Sequence, residues 1–420
     1  MTLPTFGLPP LGRRSALGMG LAGATSAVLP GRARAQNPSE VKIALVVPIS
    51  GPWARQGILE QMGAEMAVDD VNKAGGIKAL GGAKLKLVVY DTGESAEKAK
   101  NAAQRLVAQE PDVVGGIGCW LSSFTLAVTE VTERAELPWL TLSYSDLITG
   151  RGYKYVFQSS PTADAQAAAL LPTMVKLATS ATGKKPTKLG YVGDNSAASV
   201  SFMKPIRDHV AKDLGLTLVA DETFTPPLAD ATTLVQKIRS SRPDFVLLQS
   251  TNVGDDKLLL DKFAERGITP QKVPLIGGGG HWTVPELAKI AGKEHLEGMI
   301  VGLANWPGKN LGDLEKRFME RTGEPWFGHD SIFPYAHVMI LKEALERAGT
   351  ADRRKVGQVM HEMDLRDGPA QFFPDGRVKY DANGRRVGAE LCIVQWQKGK
   401  PVAVSPESIA VAKPIWPKAS

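Results

Sequence analysis

The 420-residue sequence is poor in cysteine and histidine and lacks a long hydrophobic run. Its two cysteines, Cys119 and Cys392, lie more than 270 positions apart, and we expect two separate thiols. There is no CxxC pair and no cluster among the six histidines, so no zinc site is predicted. No segment reaches ~18 uninterrupted apolar residues, which gives no indication of a membrane-spanning helix in the mature chain.

Signatures of nucleotide and nucleic-acid binding are also missing. The glycine-rich stretches "GGIG" (115–118) and "GGGGHW" (277–282) lack the Lys-[Ser/Thr] of a Walker loop. Bulky Cys119, Trp120 and Leu121 follow the first stretch and would keep a pyrophosphate away from the backbone. No basic stripe follows the N-terminal segment, so we expect neither a nucleic-acid partner nor a cofactor.

The N-terminal segment 1–35 has the pattern of an export signal. It contains four arginines and no acid, and Arg13-Arg14 precedes a mild apolar run from Ser15 to Leu29. The run ends in "ARA" at Ala35, a small-x-small cleavage site before Gln36. The paired arginines favour the twin-arginine route to the periplasm over a basic disordered tail. Cleavage would lower the formal net charge from +6 to +2, since four of 50 basic residues and no acid are removed.

From residue 41 the chain alternates short β-rich runs with amphipathic helices. The predicted strands are 41–47, 83–91, 111–118, 137–143, 188–194, 216–224, 243–250, 273–278, 298–304 and 390–396. The first helix is expected to turn Ile58, Met62 and Met66 to the core, and a short hairpin is expected within 373–389. Two consecutive β-α-β-α-β series predict an α/β protein with two doubly wound parallel sheets.

The stretch "GGIGCWLSSFT" (115–125) brings small and hydroxyl residues to the end of a strand. A hydrolase nucleophile at Ser122 or Ser123 would need a G-x-S-x-G frame, which is absent, and Cys119 would need a histidine nearby. Alternatively, hydroxyls and free N–H groups at a helix start can hold a carboxylate. Ser122 is equally consistent with a simple helix cap.

Five ordered stretches resemble the leucine/isoleucine/valine-binding protein family, the periplasmic solute receptors of ABC importers. These stretches are "IALVVPISGPWARQG", "AVDDVNKAGGIK", "KLKLVVYDT", "AAQRLVAQEPDVVGG" and "LEGMIVGLANW". The match covers roughly residues 40 to 400 at family spacing. The resemblance implies the type I periplasmic binding fold, in which two lobes joined by three crossovers close on a solute.

The resemblance also implies where the lobes and the site lie. Lobe 1 would comprise 41–157 plus 304–388, and lobe 2 would comprise 158–303 plus 389–412. Ser122-Ser123 and the segment "SYS" (143–145) would hold a solute carboxylate. The residues expected at the cleft are Trp53, Arg55, Gln56, Trp120, Leu121, Ser122, Ser123, Ser143, Tyr144, Ser145, Asn195, Ala198, Thr251, Gly280, His281 and Trp282. The first three are equally consistent with exposed loop residues.

Lobe 2 departs from the family pattern at two positions. Ala197-Ala198 replaces a common tyrosine, and the acid that pairs with the ammonium of an amino acid falls at Gly280. An amino-acid solute would then need Asp146, Asp194 or Asp255 as a substitute. Because aromatic residues surround the expected cleft, we predict an aromatic or other non-amino carboxylate in preference to leucine.

The leading hypothesis is therefore a periplasmic binding component that delivers a small organic acid to an ABC permease. We expect a monomer without catalytic residues, metal or cofactor. A sensory module of the same fold is the alternative, and an exported hydrolase using Ser122 or Cys119 is the third class.

Overall fold

The computed structural model describes residues 1–2 and 38–417, and residues 38–417 form one compact unit. Arg13, Arg14 and Ala35 of the predicted export signal lie outside the described residues. None of the described helices has the length and apolar character needed to cross a bilayer.

The first sheet has five parallel strands. Its elements are β1 (Glu40–Val47), α1 (Ala54–Lys73), β2 (Lys84–Asp91), α2 (Ala96–Gln109), β3 (Gly116–Gly118), α3 (Ser122–Arg134), β4 (Trp139–Thr141) and β5 (Val156–Gln158). The strands pair in the order β2-β1-β3-β4-β5. Central β1 is buried between helices, which explains its continuous apolar run. The three-residue β5 is missing from the sequence prediction, because so short a run carries no periodicity.

The second sheet begins with another alternating series. Its elements are α4 (Ala163–Thr182), β6 (Lys188–Asp194), α5 (Ala197–Pro205), α6 (Ala211–Asp213), β7 (Thr217–Phe224), α7 (Thr232–Ser241), β8 (Phe245–Gln249), α8 (Val253–Glu265), β9 (Leu275–Gly278), α9 (Pro285–Ala291), α10 (Lys293–Leu296) and β10 (Ile300–Leu303). The five strands are parallel in the order β7-β6-β8-β9-β10. A π-helical turn, Ile206–Val210, joins α5 to α6 directly after Pro205, whose missing N–H interrupts the α-helical ladder.

The chain then returns to the first sheet. The next elements are α11 (Gly312–Thr322), α12 (His329–Ala348), α13 (Arg353–Glu362), β11 (Asp364–Leu365) and β12 (Val378–Lys379). The predicted hairpin is only partly formed, since β12 pairs with β11 and a single bridge joins Tyr380 to Arg386. Helix α12 packs closely on α1, where a Cβ on Gly63 would lie 2.1 Å from the carbonyl oxygen of Ser331.

This close packing changes the buried face expected for α1. Leu59 and Met66 are buried, whereas Ile58 is 36% exposed. The apolar spacing of Ile58 and Met66 fits a helix, but Gly63 must face α12, and that contact sets the rotation of the helix. The prediction that Ile58 faces the core is wrong.

Two antiparallel strands complete the second sheet. β13 (Cys392–Gln397) pairs with β10, and β14 (Lys400–Ser405) pairs with β13. The sequence prediction contains β13 but not β14. The chain thus passes between the sheets three times, after β5, after β10 and before β13. The predicted two-lobe α/β fold is confirmed, with an antiparallel edge added to the second sheet.

Candidate functional site

A narrow cleft with a cavity volume of about 40 Å³ lies between the two sheets, at the carboxyl ends of their strands. This volume is below the ~300–1,000 Å³ that is usual for small-molecule sites. The residues lining it are Trp120, Leu121, Ser122, Leu142, Ser143, Tyr144, Ala198, Ser199, Gln249, Ser250, Thr251, Gly278, Gly279, Gly280, His281 and His329. Both lobes contribute, and nine of these residues belong to the set expected from the sequence.

The loop from β3 to α3 forms part of one wall and has an unusual backbone. Gly118, Cys119 and Trp120 have positive φ angles of 109°, 78° and 44°. For the two non-glycine residues such angles cost about 1–3 kcal/mol each. The loop is held by a 2.7 Å hydrogen bond from the Cys119 N–H to the carbonyl of Val46. This conformation projects Trp120 into the cleft and leaves Cys119 buried.

Both cysteines are buried and unpaired in the described chain. Burial raises the pKa of the Cys119 thiol well above its ordinary value. Reactive cysteines instead have a depressed pKa and are partly exposed. The structure therefore removes the support for a Cys119 nucleophile.

Ser122 is the first residue of α3 rather than its cap. The N-cap is Leu121, and no side-chain cap is formed within the described residues. The Ser122 hydroxyl oxygen instead accepts the N–H groups of Tyr144 at 3.2 Å and Ser145 at 3.1 Å. Because its oxygen is engaged as an acceptor, its proton remains available for donation. The first backbone N–H groups of α3 also lack intrahelical acceptors.

The other serines expected to bind a carboxylate have partners in the protein. The Ser143 hydroxyl donates to the Trp120 carbonyl at 2.7 Å. The Ser145 hydroxyl pairs with that of Ser201 in the second lobe at 2.9 Å and does not line the cleft. Ser123 is only partly buried and does not line it either. The set of serine hydroxyls that can bind a carboxylate is therefore smaller than expected and centres on Ser122.

Neutral aromatic rings form much of the remaining surface. Trp120 meets His281 edge to face, with 5.8 Å between ring centroids. The Tyr144 hydroxyl donates to His329 Nε2 at 3.0 Å, since His329 Nδ1 must donate to the carbonyl of Asn305 at 3.3 Å. Burial lowers the pKa of His329 to about 4. It also lowers that of His281 to about 3, with a smaller contribution from His329.

None of the described residues lining the cleft is an acid, a lysine or an arginine. Asp194 lies one layer behind it and accepts the hydroxyls of Ser199 at 2.7 Å and Thr251 at 2.6 Å. Asp255 accepts the Leu228 N–H at 2.7 Å, and Asp146 accepts the Asp164 N–H at 3.1 Å. The three substitute acids considered from the sequence thus face other partners.

Comparisons with known proteins agree with this geometry. The family model described as "Periplasmic binding protein" matches residues 40–401. A Leu/Ile/Val-binding protein homolog 8 from Brucella abortus (strain 2308) is 30% identical over 389 residues, covering 89% of this chain and 93% of the relative. The chain belongs to the periplasmic binding protein family. This confirms the resemblance seen in the sequence.

Solved structures share the fold of this periplasmic binding protein. A leucine-binding protein LivK from Thermotoga maritima has a TM-score of 0.72 and 22% identity, covering 87% of this chain and 98% of its own. LivJ from Streptococcus pneumoniae, in complex with isoleucine, has a TM-score of 0.74 and 20% identity, covering 87% and 100%. A solute-binding protein from R. palustris, in complex with benzoate, has a TM-score of 0.71 and 20% identity, covering 88% and 99%.

Besides Ser123 and Ser145, five more residues of the binding protein that were expected at the cleft lie elsewhere. Trp53 packs edge to face on Phe124 at 5.6 Å, and Arg55 pairs with Glu324 at 2.6 Å. Gln56 is fully buried in α1. Asn195 donates to the Thr225 hydroxyl at 2.9 Å, outside the cleft lining.

Trp282 is the fifth, and it is fully buried in the core of the second lobe. The 3₁₀ turn Gly280–Thr283 directs His281 to the cleft and its neighbour Trp282 under β9. A Cβ on Gly277 would lie 2.6 Å from Trp282 Cγ. The absence of a side chain at Gly277 thus makes room for the indole.

Several residues lining the cleft were missed from the sequence. They are Leu142, Ser199, Gln249, Ser250, Gly278, Gly279 and His329. Gln249 and Ser250 had a usable signal, because they are polar residues at the carboxyl end of the apolar strand β8. His329 had none, since it starts α12 and lies 185 positions from its partner Tyr144.

Proposed function

We propose that this protein is the solute receptor of an ABC importer and captures a small non-amino carboxylate, preferably an aromatic one, between its lobes. The bodies that close are 41–157 plus 304–388 and 158–303 plus 389–412. The protein works as a monomer that binds without turnover and passes its solute to a membrane permease. The observation that carries the solute class is a cleft lining that contains no acid, lysine or arginine among the described residues.

The carboxylate end of the solute is bound at the start of α3. There the Ser122 hydroxyl proton and the first N–H groups of the helix are free to donate. Hydrogen bonds to an ionised acceptor are roughly twice as strong as neutral ones, and the helix dipole adds partial positive charge. A carboxylate is therefore stabilised without a cationic side chain.

The rest of the lining disfavours an α-ammonium group. A buried ammonium without a partner costs several kcal/mol, whereas burying one apolar side chain returns only ~1.5–3 kcal/mol. The rings of Trp120, Tyr144 and His281 instead offer flat, uncharged surface. Neighbours of the same fold hold isoleucine in one case and benzoate in another, so the architecture accommodates both solute classes.

A thermal-shift screen of amino acids, benzoate-like acids and aliphatic acids tests this function. A solute that binds only the folded protein raises stability by ~2.7 kcal/mol at a hundredfold excess over its Kd. We expect stabilisation by non-amino carboxylates, and most by aromatic ones. Stabilisation by leucine or valine, with no response to any non-amino acid, would contradict the proposal.

Substitutions at adjacent serines locate the carboxylate. Ser122→Ala removes a charge-assisted donor worth about 1.5–3 kcal/mol and should weaken binding at least tenfold. Ser123→Ala is the matched control, since Ser123 neighbours it in α3 without lining the cleft. Equal effects of the two substitutions would argue against the proposed carboxylate site.

A further inference from the structure

The Gln249 side chain is an unused polar group on the second-lobe wall of the cleft. It ends β8, is 9% exposed and lines the cleft. Its backbone carbonyl accepts the Ser199 hydroxyl at 3.0 Å, but its amide forms no hydrogen bond with any described residue. The amide atoms remain accessible from the cleft, so they lose water without gaining a partner only when a solute fills the cleft, which costs about 1–3 kcal/mol unless the solute supplies a hydrogen bond.

The position of this amide depends on the neighbouring strand. A Cβ on Gly278, the last residue of β9, would lie 2.3 Å from Gln249 Nε2 and 2.4 Å from Oε1. The amide therefore lies directly against the Gly278 backbone, in space that any other residue would fill. The ends of β8 and β9 together form a recess that holds the Gln249 amide, a neutral group that can both donate and accept hydrogen bonds.

The surrounding hydroxyls donate their protons to other groups, and none of them forms a hydrogen bond with this amide in the described chain. Ser199 and Thr251 both donate to Asp194, at 2.7 Å and 2.6 Å, and Ser250 donates to Asp256. The His281 ring also lines this wall, with its Nε2 turned toward Asp256 at 3.5 Å. Gln249 in the second lobe and Ser122 in the first lobe thus both line the cleft.

We infer that the natural solute carries a second, neutral polar group, a hydroxyl, carbonyl or amide, which hydrogen-bonds to Gln249 at the end remote from its carboxylate. This inference rests on the proposed carboxylate function and narrows the solute class. A second charged group does not fit, since the described lining offers it no counter-charge. A purely apolar ring would leave the amide unpaired.

Calorimetric titration of matched acids tests the inference. The probes are benzoate and the three monohydroxybenzoates, cyclohexanecarboxylate with its monohydroxy derivatives, and the neutral monohydroxybenzamides. Wild-type protein should bind at least one hydroxylated acid about tenfold or more tightly than its parent, the effect of one satisfied buried donor or acceptor. Gln249→Leu should abolish that preference. Gln236→Leu, at an exposed position on α7 of the same lobe, should retain it.

Because the Gln249 amide has no protein partner, Gln249→Leu should fold normally, which circular dichroism and the unfolding midpoint verify. Parent acids that bind wild type as tightly as every hydroxylated acid would overturn the inference and leave the carboxylate function intact. An unchanged preference in Gln249→Leu would also overturn it. If only neutral hydroxybenzamides bind, and do so through Gln249, the carboxylate proposal fails while this inference stands. If none of the probes binds, both the proposed carboxylate function and the inference about Gln249 are overturned.

Discussion

Buried carboxyl groups support the cleft from behind. Asp330, at the start of α12, accepts the indole N–H of Trp120 at 2.9 Å and so orients a ring that lines the cleft. Its other oxygen has no partner among the described residues, and neither oxygen of nearby Glu60 has one. Burial raises the pKa of Asp330 to about 7, and burial together with Asp330 raises that of Glu60 well above its ordinary value.

We expect this environment to appear as a pH-dependent stability difference between wild type and Asp330→Asn. The folded protein retains the Asp330 proton up to about pH 7, whereas the unfolded chain loses it near pH 3.8, so folding binds a proton in between. Asp330 therefore contributes most stability at low pH, and this contribution is lost as the pH rises toward 7. Asparagine keeps an acceptor for Trp120 but does not titrate.

Urea unfolding at pH 5 and pH 8 measures the difference. Wild type should lose about 2–3 kcal/mol relative to Asp330→Asn between these values, since one pKa unit corresponds to ~1.4 kcal/mol. The buried histidines titrate in both proteins and cancel in the comparison. Asp313→Asn, at an exposed position on α11, is the control. A difference that does not change with pH would show that Asp330 is ionised throughout.

At the scale of elements, the 3₁₀ turn Gly280–Thr283 of lobe 2 meets the start of α12. A Cβ on Gly280 would lie 2.2 Å from His329 Cδ2 and 2.9 Å from Asp330 Oδ1. The His329 ring cannot easily move aside, because Tyr144 and Asn305 hold both of its nitrogens. From the sequence, Gly280 indicates only that the acid that would bind an ammonium group is absent. The structure shows in addition that Gly280 makes a close contact between the lobes.

We predict that Gly280→Ala impairs closure of the lobes. Overpacking by one methyl group typically costs about 1–3 kcal/mol, so solute affinity should fall roughly tenfold. Small-angle scattering should show a smaller radius of gyration for wild type with saturating solute, and a smaller decrease for the variant. Gly312→Ala is the matched control, since nothing lies within 4 Å of its Cβ position. Full compaction and unchanged affinity in Gly280→Ala would refute the prediction.

The whole molecule combines two α/β lobes, a neutral cleft and an N-terminal segment typical of exported proteins. Removal of residues 1–35 would lower the formal net charge from +6 to +2, so most of the basic excess lies in the predicted signal. A binding protein that hands its solute to a membrane permease has to reach the periplasm. The paired arginines at 13 and 14 are the feature from which we infer the route.

We expect Arg13→Lys combined with Arg14→Lys to leave unprocessed precursor in the cytoplasm. The twin-arginine route recognises the arginine pair, and lysine preserves only its charge. Immunoblotting of cell fractions measures precursor and mature forms, and N-terminal sequencing of mature wild type should begin at Gln36. Arg32→Lys with Arg34→Lys is the matched control. Continued export in cells without the twin-arginine machinery would rule out this route.

Much of the fold and one binding residue of the candidate site, Ser122, could be predicted from the sequence, because the patterns that indicate them involve residues close together in the chain. The apolar run of β1 and the alternation that follows depend on residues near one another in the chain. The glycine-ended strand β3 followed by Ser122 likewise places a hydroxyl at a helix start. Edge strand β14 and the three-residue β5 were missed, although each pairs with the strand that precedes it in the chain. β5 is too short to show a periodicity, and Pro401 within β14 is atypical of a strand.

The sequence by itself therefore determined the two-lobe α/β architecture and a cleft at the strand ends. The periodicity of the apolar residues and the alternation of strands with helices both depend on residues that are close together in the chain. Only the tertiary structure decided which polar groups are free to bind. Ser122 and Ser143 are both hydroxyls near the cleft, yet the Trp120 carbonyl takes the proton of one and leaves that of the other available. Which acceptor takes a hydroxyl proton depends on the neighbours of that hydroxyl in space, and those neighbours come from other parts of the chain.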